Sequence, residues 1–418
     1  MNKRVVQIKK ISVINSTSLG KGDDFDVIQY LDTGNIIKNN IHNLQILKTG
    51  KDKIPSRAKR KVKKNTIIYS TVRPNQEHYG FLKNPDNNLI VSTGFTTIDI
   101  IDKNIDQKFI YYLITQKQIT DYIHGIGINA TSSYPSIKPE DIGNLKFEIP
   151  ENVTDQKKIS FILTTIDAKI ELNNKINGEL EKMAKTIYNY WFSQFDFPDE
   201  NDKPYKSSGG GMVYNKELKR KIPKGWETNT LFKNSLTSIL KPKIEMFEGE
   251  KEYLATANVN GREVTKGDII TYEKRESRAN MQPIENSIWF AKMKASKKHL
   301  FVGVYSGDII ENNIFSTGFL GLKCEDFAFE YIASFISSDI LEFTKDKISH
   351  GATMQGVGNN DLKFIKLVIP NKEVLTGYKK ATEDIFKKID LIRQENVKLI
   401  ELRDWLLPML MNGQIKVA

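Results

Sequence analysis

One apolar seam, written twice, constrains this chain more than any other feature. From Thr154 to about Gln194, Ile159, Ile162, Ile166, Ile170, Ile176, Leu180, Met183, Ile187 and Tyr190 recur at three- and four-residue spacing, which lays a stripe down one face of a long helix. With Ile159, Ile166, Leu180 and Ile187 at heptad position a, the remaining a position is Asn173. A buried Asn there costs stability while fixing register and partner number. The seam returns about 223 residues later as Ile385, Ile389, Ile392, Asn396, Leu399 and Leu406, the kind of self-similarity that precedes any assignment of fold. Ile166, Asn173, Ile176 and Met183 map onto Ile389, Asn396, Leu399 and Leu406. The spacing predicts an antiparallel pair of helices, each up to ~60 Å long at 1.5 Å per residue.

The segments before each helix repeat as well. Tyr30-Leu31 with Thr33 answers to Tyr253-Leu254 with Thr256, and Ser56-Arg57-Ala58 to Ser277-Arg278-Ala279. In the same frame Asn65, Ile67 and His78 answer to Asn286, Ile288 and His299. The tetrapeptide Ser-Thr-Gly-Phe occurs at 92–95 and 316–319, and Ala130-Thr131 answers to Ala352-Thr353. The predicted organisation is a mixed domain (1–150), a long helix (151–196), a Pro/Gly-rich linker (197–221), a second domain (222–371) and a second helix (372–418) ended or kinked near Pro408. The predicted fold class is α+β: two repeated α/β domains separated by an antiparallel coiled coil, pseudo-two-fold symmetric. In the first domain a helical patch is expected from Lys108 to His124, followed by a polar loop from Gly125 to Ser136.

Composition narrows the function. A 418-residue chain that is 39% hydrophobic and 27% charged fits two cores. No apolar run approaches the ~18 residues that span a bilayer, which places the chain in the cytoplasm with no membrane partner. A lone cysteine, Cys324, and five scattered histidines leave no zinc-spaced cluster. The formal charge of +11 implies a polyanionic partner. The cations crowd between Lys48 and Lys64, where Asp52 is the one acid.

Two such domains, two such helices and a linker running into Ile222-Pro-Lys-Gly-Trp-Glu227 resemble the specificity subunits of Type I restriction-modification enzymes. The resemblance covers nearly the whole chain and is carried most by the segment Ile166–Pro198, the Ile-Pro-Lys-Gly-Trp-Glu motif and the paired Ser-Thr-Gly-Phe and Ala-Thr elements. It implies that each domain reads one half of a split, asymmetric site on double-stranded DNA. It also implies that the helices set the gap and dock two methyltransferase subunits, with restriction subunits joining in some systems. S-adenosylmethionine would then belong to the methyltransferases, ATP and Mg²⁺ to the nuclease and translocase subunits, and no cofactor to this chain. Coiled-coil contacts are expected from Ile166, Asn173, Ile176, Leu180, Met183, Ile389, Asn396, Leu399 and Leu406.

The residues themselves also point to DNA, because Lys and Arg neutralise phosphates while Arg, Asn and Gln can read base edges. In the first domain the candidates are Arg57, Lys59, Arg60 and Lys63 before a strand at 66–72, Arg73 and Asn75 after it, and Asn129, Thr131, Ser132, Ser133 and Tyr134 in the polar loop. In the second they are Arg275, Arg278 and Asn280, then Lys294, Ser296, Lys297 and Lys298, then Thr353, Met354 and Gln355. Their coincidence under the repeat is the reason for choosing them.

Catalytic signatures are missing. No Asn/Asp-Pro-Pro-aromatic tetrapeptide is present for adenine methylation, and Gly209–Gly211 lacks the Lys and Ser/Thr of a phosphate-binding loop. Asp199 with Glu217 and Lys219 formally fits a nuclease pattern of two metal-holding carboxylates and a lysine, in a stretch without β alternation. Two alternatives stay open: a nuclease-like component using these residues, and a coiled-coil assembly protein without DNA. His78 and His299 read as structural imidazoles.

Overall fold

The structure is a computed structural model that describes residues 2–20, 22–130, 135–415 and 417. The chain divides into two compact units, Met1–Glu171 with Val397–Ala418, and Leu172–Asn396. Both are mixed α+β.

The first unit holds two four-stranded sheets. One runs in the order Gln45–Lys48, Val27–Leu31, Leu89–Ser92, Ala58–Lys61, with the middle pair parallel. The other runs Ser12–Ile14, Phe95–Ile100, Thr66–Ser70, Tyr79–Leu82, antiparallel throughout. Thr66–Ser70 and Phe95–Ile100 are buried at every position, so, Asp99 apart, they read as continuous apolar or hydroxyl-bearing runs rather than alternating ones. A core of Tyr69, Ile98, Phe109, Ile110 and Ile123 also takes in Ile159, Leu163, Leu410 and Met411 from the long helices.

The second unit repeats this topology. Its sheets run Asp268–Ile270, Lys251–Leu254, Asn313–Ser316, Ala279–Met281 and Thr237–Leu240, Phe319–Cys324, Ser287–Ala291, His299–Val302. The pair Lys251–Leu254 and Asn313–Ser316 is again parallel. The eight-residue helices Gln107–Ile114 and Phe329–Ile336 stand in the same place in the order of their units.

The long helices are Val153–Tyr188 and Lys372–Met411. Inside the second unit they pair antiparallel: Asn173 meets Asn396 at 2.8 Å, and Ala184 shares an apolar cluster with Ile385 and Ile389. Inside the first unit, Arg403 Nη1 lies 3.0 Å from Asp167 Oδ1, and Tyr112 OH donates to Asp167 Oδ2 at 2.6 Å.

Several expectations change. Met183 is 53% exposed; the seam turns through Ala184 instead, because a small side chain lets the second helix approach there. Ile166 and Ile389 are buried, while Ile176, Leu180, Asn396, Leu399 and Leu406 are half-buried. The first α-helix stops at Tyr188, and Asn189–Ser193 forms a π-helical turn. The second continues through Pro408 to Met411. The segment 197–221 is no bare linker: Phe197 stacks on Tyr205 and Trp226, with centroids at 4.7 and 5.0 Å, and Met212–Asn215 pairs with Arg220–Pro223 as a hairpin. Its aromatic residues supply the anchoring that its Pro/Gly content concealed. Helix occupies Lys117–Ala130, so Asn129 lies on a helix and not on a polar loop.

Candidate nucleic-acid interface

The two Ser-Thr-Gly-Phe elements are turns that carry the chain from one sheet to the other in each unit. Gly94 N donates to Ser92 Oγ at 3.3 Å, and Gly318 N to Ser316 Oγ at 3.1 Å. A Cβ on Gly94 would sit 2.8 Å from Thr33 Cγ2, and one on Gly318 would sit 2.9 Å from Thr256 Cγ2. Glycine is required by close approach, and the neighbour is the repeat-equivalent threonine both times.

From these turns a ladder of backbone hydrogen bonds gathers the predicted loops. In the first unit Thr93 N donates to Arg57 O at 2.8 Å, Thr71 N to Gly94 O at 2.8 Å, Ile137 N to Thr71 O at 2.9 Å and Arg73 N to Pro135 O at 2.9 Å. In the second, Thr317 N donates to Arg278 O at 2.8 Å, Lys292 N to Gly318 O at 3.0 Å, Val357 N to Lys292 O at 2.9 Å and Lys294 N to Gln355 O at 2.9 Å. Each rung has its counterpart. The segments bearing Arg57 and Arg73, and those bearing Arg278, Lys294 and Gln355, are thus joined by backbone hydrogen bonds.

Side chains on these segments differ in exposure and in their partners. Arg57, Lys59, Arg73 and Asn75 are exposed, as are Asn129, Arg278, Lys294, Lys297, Thr353, Met354 and Gln355. Arg60, Arg275, Asn280, Ser296 and Lys298 are half-buried. Lys63, though exposed, pairs at 3.3 Å with buried Asp99, which also accepts from Ser16 and Thr66 at 2.6 Å each. The Arg275 guanidinium lies over the Tyr272 ring at 4.0 Å and donates to the Tyr272 carbonyl. Lys298 Nζ donates to Thr256 O at 2.6 Å, and burial lowers its pKa. Lys294 Nζ donates to Gln355 Oε1 at 2.8 Å, which joins two candidate readers into one polar group. Thr131, Ser132, Ser133 and Tyr134 lie outside the described residues.

Sequence reasoning missed the groups beneath these loops. Lys292 Nζ donates to Thr317 O at 2.8 Å, with its pKa lowered by burial. Lys345, fully buried, contacts Glu342 at 2.9 Å, and His299 Nε2 lies 3.3 Å from the same carboxylate. Only the repeat position of His299 hinted at this cluster; an ammonium inside an amphipathic helix carries no periodic signal. His299 and His78 are both held below the ordinary imidazole pKa, chiefly by burial.

The nuclease-like residues do not converge as a metal site. Asp199 Oδ1 accepts from the backbone of Asn201 and Lys203 at 2.8 and 3.0 Å, closing its own turn. Glu217 pairs with Lys366 at 2.6 Å, and Lys219 sits at φ 52° in the hairpin turn. Among the described residues no group of three or more His, Cys, Asp or Glu could hold a metal ion, and no helix is long and apolar enough to cross a membrane.

Residues 3–182 match the family model described as the Type I restriction modification DNA specificity domain. The chain is 25% identical to the Type I restriction enzyme HindI specificity subunit of Haemophilus influenzae, over 96% of this chain and 97% of that one. It is 26% identical to the MjaIX specificity subunit of Methanocaldococcus jannaschii, over 85% of this chain and 78% of the relative. Among solved structures, the S subunit of a Type-I restriction-modification system from M. genitalium aligns with 98% of this chain and 96% of its own, at 16% identity and a TM-score of 0.46.

Proposed function

We propose that the chain is a specificity subunit of a Type I restriction-modification system, a reading supported by the match of residues 3–182 and by the two specificity-subunit relatives, and that each of its two units reads one part of a two-part DNA target. The observation that carries this reading is the paired backbone ladder, which brings Arg57 and Arg73 to one edge of the first unit and Arg278, Lys294 and Gln355 to one edge of the second. Exposed Lys and Arg on those edges neutralise phosphates, while Arg, Asn75 and Gln355 have the forked geometry that base edges require.

In this reading the protein catalyses nothing itself. It docks two methyltransferase subunits along the long helices, and restriction subunits where the system has them. S-adenosylmethionine, ATP and Mg²⁺ are bound by those partners, and the complex works in the cytoplasm. The nuclease alternative is not favoured, since Asp199 and Glu217 are occupied by local partners. A coiled-coil protein without DNA would have no use for the basic ladder edges.

The test is co-expression with the methyltransferase subunits and base-resolution mapping of methylated adenines for the parent chain, Arg57→Ala and Arg278→Ala. Each substitution should weaken or relax one part of a two-part motif and spare the other. Loss at both parts from either substitution, or methylation by the purified chain alone, overturns the proposal.

A further inference from the structure

We infer that Lys345 is a positioning residue for the basic loop 292–298 of the second unit: a buried ammonium that holds this loop in one conformation from beneath. The inference rests on the reading proposed above only for what the loop does, not for how it is held.

The loop leaves the strand Ser287–Ala291 and re-enters the sheet at His299. Lys345, 0% exposed, projects under it from the helix Asp339–Ile348. Its Nζ donates to Ser296 O at 2.8 Å, lies 3.5 Å from Ala291 O and contacts Glu342 Oε1 at 3.0 Å. An ammonium has three donors, and these three acceptors match them. Glu342 in turn meets His299 Nε2 at 3.3 Å. The start, middle and end of the loop therefore converge on one lysine–glutamate pair. The next helix residue adds a fourth tie, Ala295 N donating to Asp346 Oδ1 at 2.8 Å. Ala295 itself sits at φ 53°, a left-handed conformation that is unfavourable for a non-glycine residue and persists where its surroundings enforce it.

The first unit shows that the fold does not need this charge. There Thr120 and Ile123 stand in the same places relative to the preceding helix end, Ile114, as Glu342 and Lys345 do relative to Ile336. Both are fully buried, and Thr120 Oγ1 meets Tyr69 OH at 3.1 Å. Two neutral side chains fill that space. The corresponding first-unit loop stiffens itself, through Pro74 in a 3-10 turn at Pro74–Gln76, whereas residues 292–298 contain no proline. A loop without internal stiffening takes its shape from the helix below. A buried charge costs desolvation that packing alone would avoid; here its backbone acceptors are Ser296 in the loop and Ala291 at the strand end that opens it, so its return lies in the geometry of that loop. Exposed Lys294 and Lys297 are what the geometry presents.

The test transplants the first unit's pair, Glu342→Thr with Lys345→Ile, into the full chain assembled with its methyltransferase subunits. Two measurements are made: hydrogen exchange of amides 292–298, and base-resolution methylation at targets altered in either part. Expected are a folded protein, exchange in the loop faster by tenfold or more with the first unit unchanged, and relaxed base preference at the second unit's part of the motif alone. Lys345→Arg should restore part of the protection. Where the double change fails to fold, Lys345→Met, which keeps the stem, is measured the same way. Unchanged loop exchange in a folded variant overturns the positioning role. Faster exchange with unaltered methylation, together with no effect of Lys294→Ala and Lys297→Ala, leaves the positioning role standing and instead overturns the assignment of this loop to DNA.

Discussion

Asn173 Nδ2 donates to Asn396 Oδ1 at 2.8 Å, and Asn396 Nδ2 donates to Asn174 Oδ1 at the same distance. The first amide is 1% exposed and spends its second hydrogen on Glu395 Oε2 at 2.8 Å. A buried asparagine tied to half-buried and exposed polar partners in this way specifies register, since a shift of one turn would strand it among Ile and Leu.

Replacing one partner should therefore hurt more than replacing both. Asn173→Leu leaves Asn396 without its donor and should cost roughly 1–3 kcal/mol. Asn173→Leu with Asn396→Leu should be close to neutral in chemical denaturation but should populate more than one association state in sedimentation. A double variant that is both less stable than the single and uniquely associated would show that the asparagines contribute stability rather than register.

Gly94→Ala should destabilise the first unit by roughly 1–3 kcal/mol, because the new methyl is forced against Thr33 Cγ2. Thr33→Ser removes that methyl and should recover much of the loss in the double variant. Gly318→Ala with Thr256→Ser should behave alike. Denaturation midpoints decide it, and additivity of the two changes would mean that the contact is not the cause.

Glu330 supplies a pH signature. Burial, reinforced by Asp326 and Glu383, raises its carboxyl from 4.5 to about 7, against the pull of its own backbone N–H and Lys379. Its folded-state pKa lies above the unfolded one, so its contribution is full below pH 4.5 and is lost as pH rises through 7. Glu330→Gln should raise stability at pH 8 by up to about 3 kcal/mol, from ~1.36 kcal/mol per unit, and by little near pH 4.5. Equal gains at both pH values would refute it.

The proposed spacing role of the helices predicts a ruler. One heptad added to each keeps the seam in phase and adds about 10 Å at 1.5 Å per residue. The gap between the two parts of the DNA motif should lengthen by up to about three base pairs at ~3.4 Å each, with both parts unchanged. Two added residues should abolish assembly instead. Methylation mapping with an unchanged gap in an active heptad variant would reject the ruler.

The seam and the repeat were legible because both are periodic: Ile159, Ile166 and Asn173 announce a helix face, and two copies of Ser-Thr-Gly-Phe announce two like units. Met183 misled because heptad counting sees spacing, not the closeness that Ala184 permits. The polar end of Lys117–Ala130 read as loop because Gly125 and Gly127 lower helix propensity, while tertiary packing of Ile123 holds the helix together. Lys63 looked like a free cation because its partner, Asp99, lies 36 residues on, and Arg275 because the contact with nearby Tyr272 depends on a loop conformation that spacing does not reveal. Lys345 was invisible because two of its acceptors, the carbonyls of Ala291 and Ser296, are distant in sequence.

The rungs that join the loops at each edge are peptide N–H and C=O groups, which every residue except proline supplies alike. Exposed side chains along the edges can therefore be exchanged without removing these backbone rungs. A lineage under pressure to recognise new DNA can rewrite such an edge one residue at a time, remaining folded at every step, and the two units can drift toward different vocabularies while keeping one grammar.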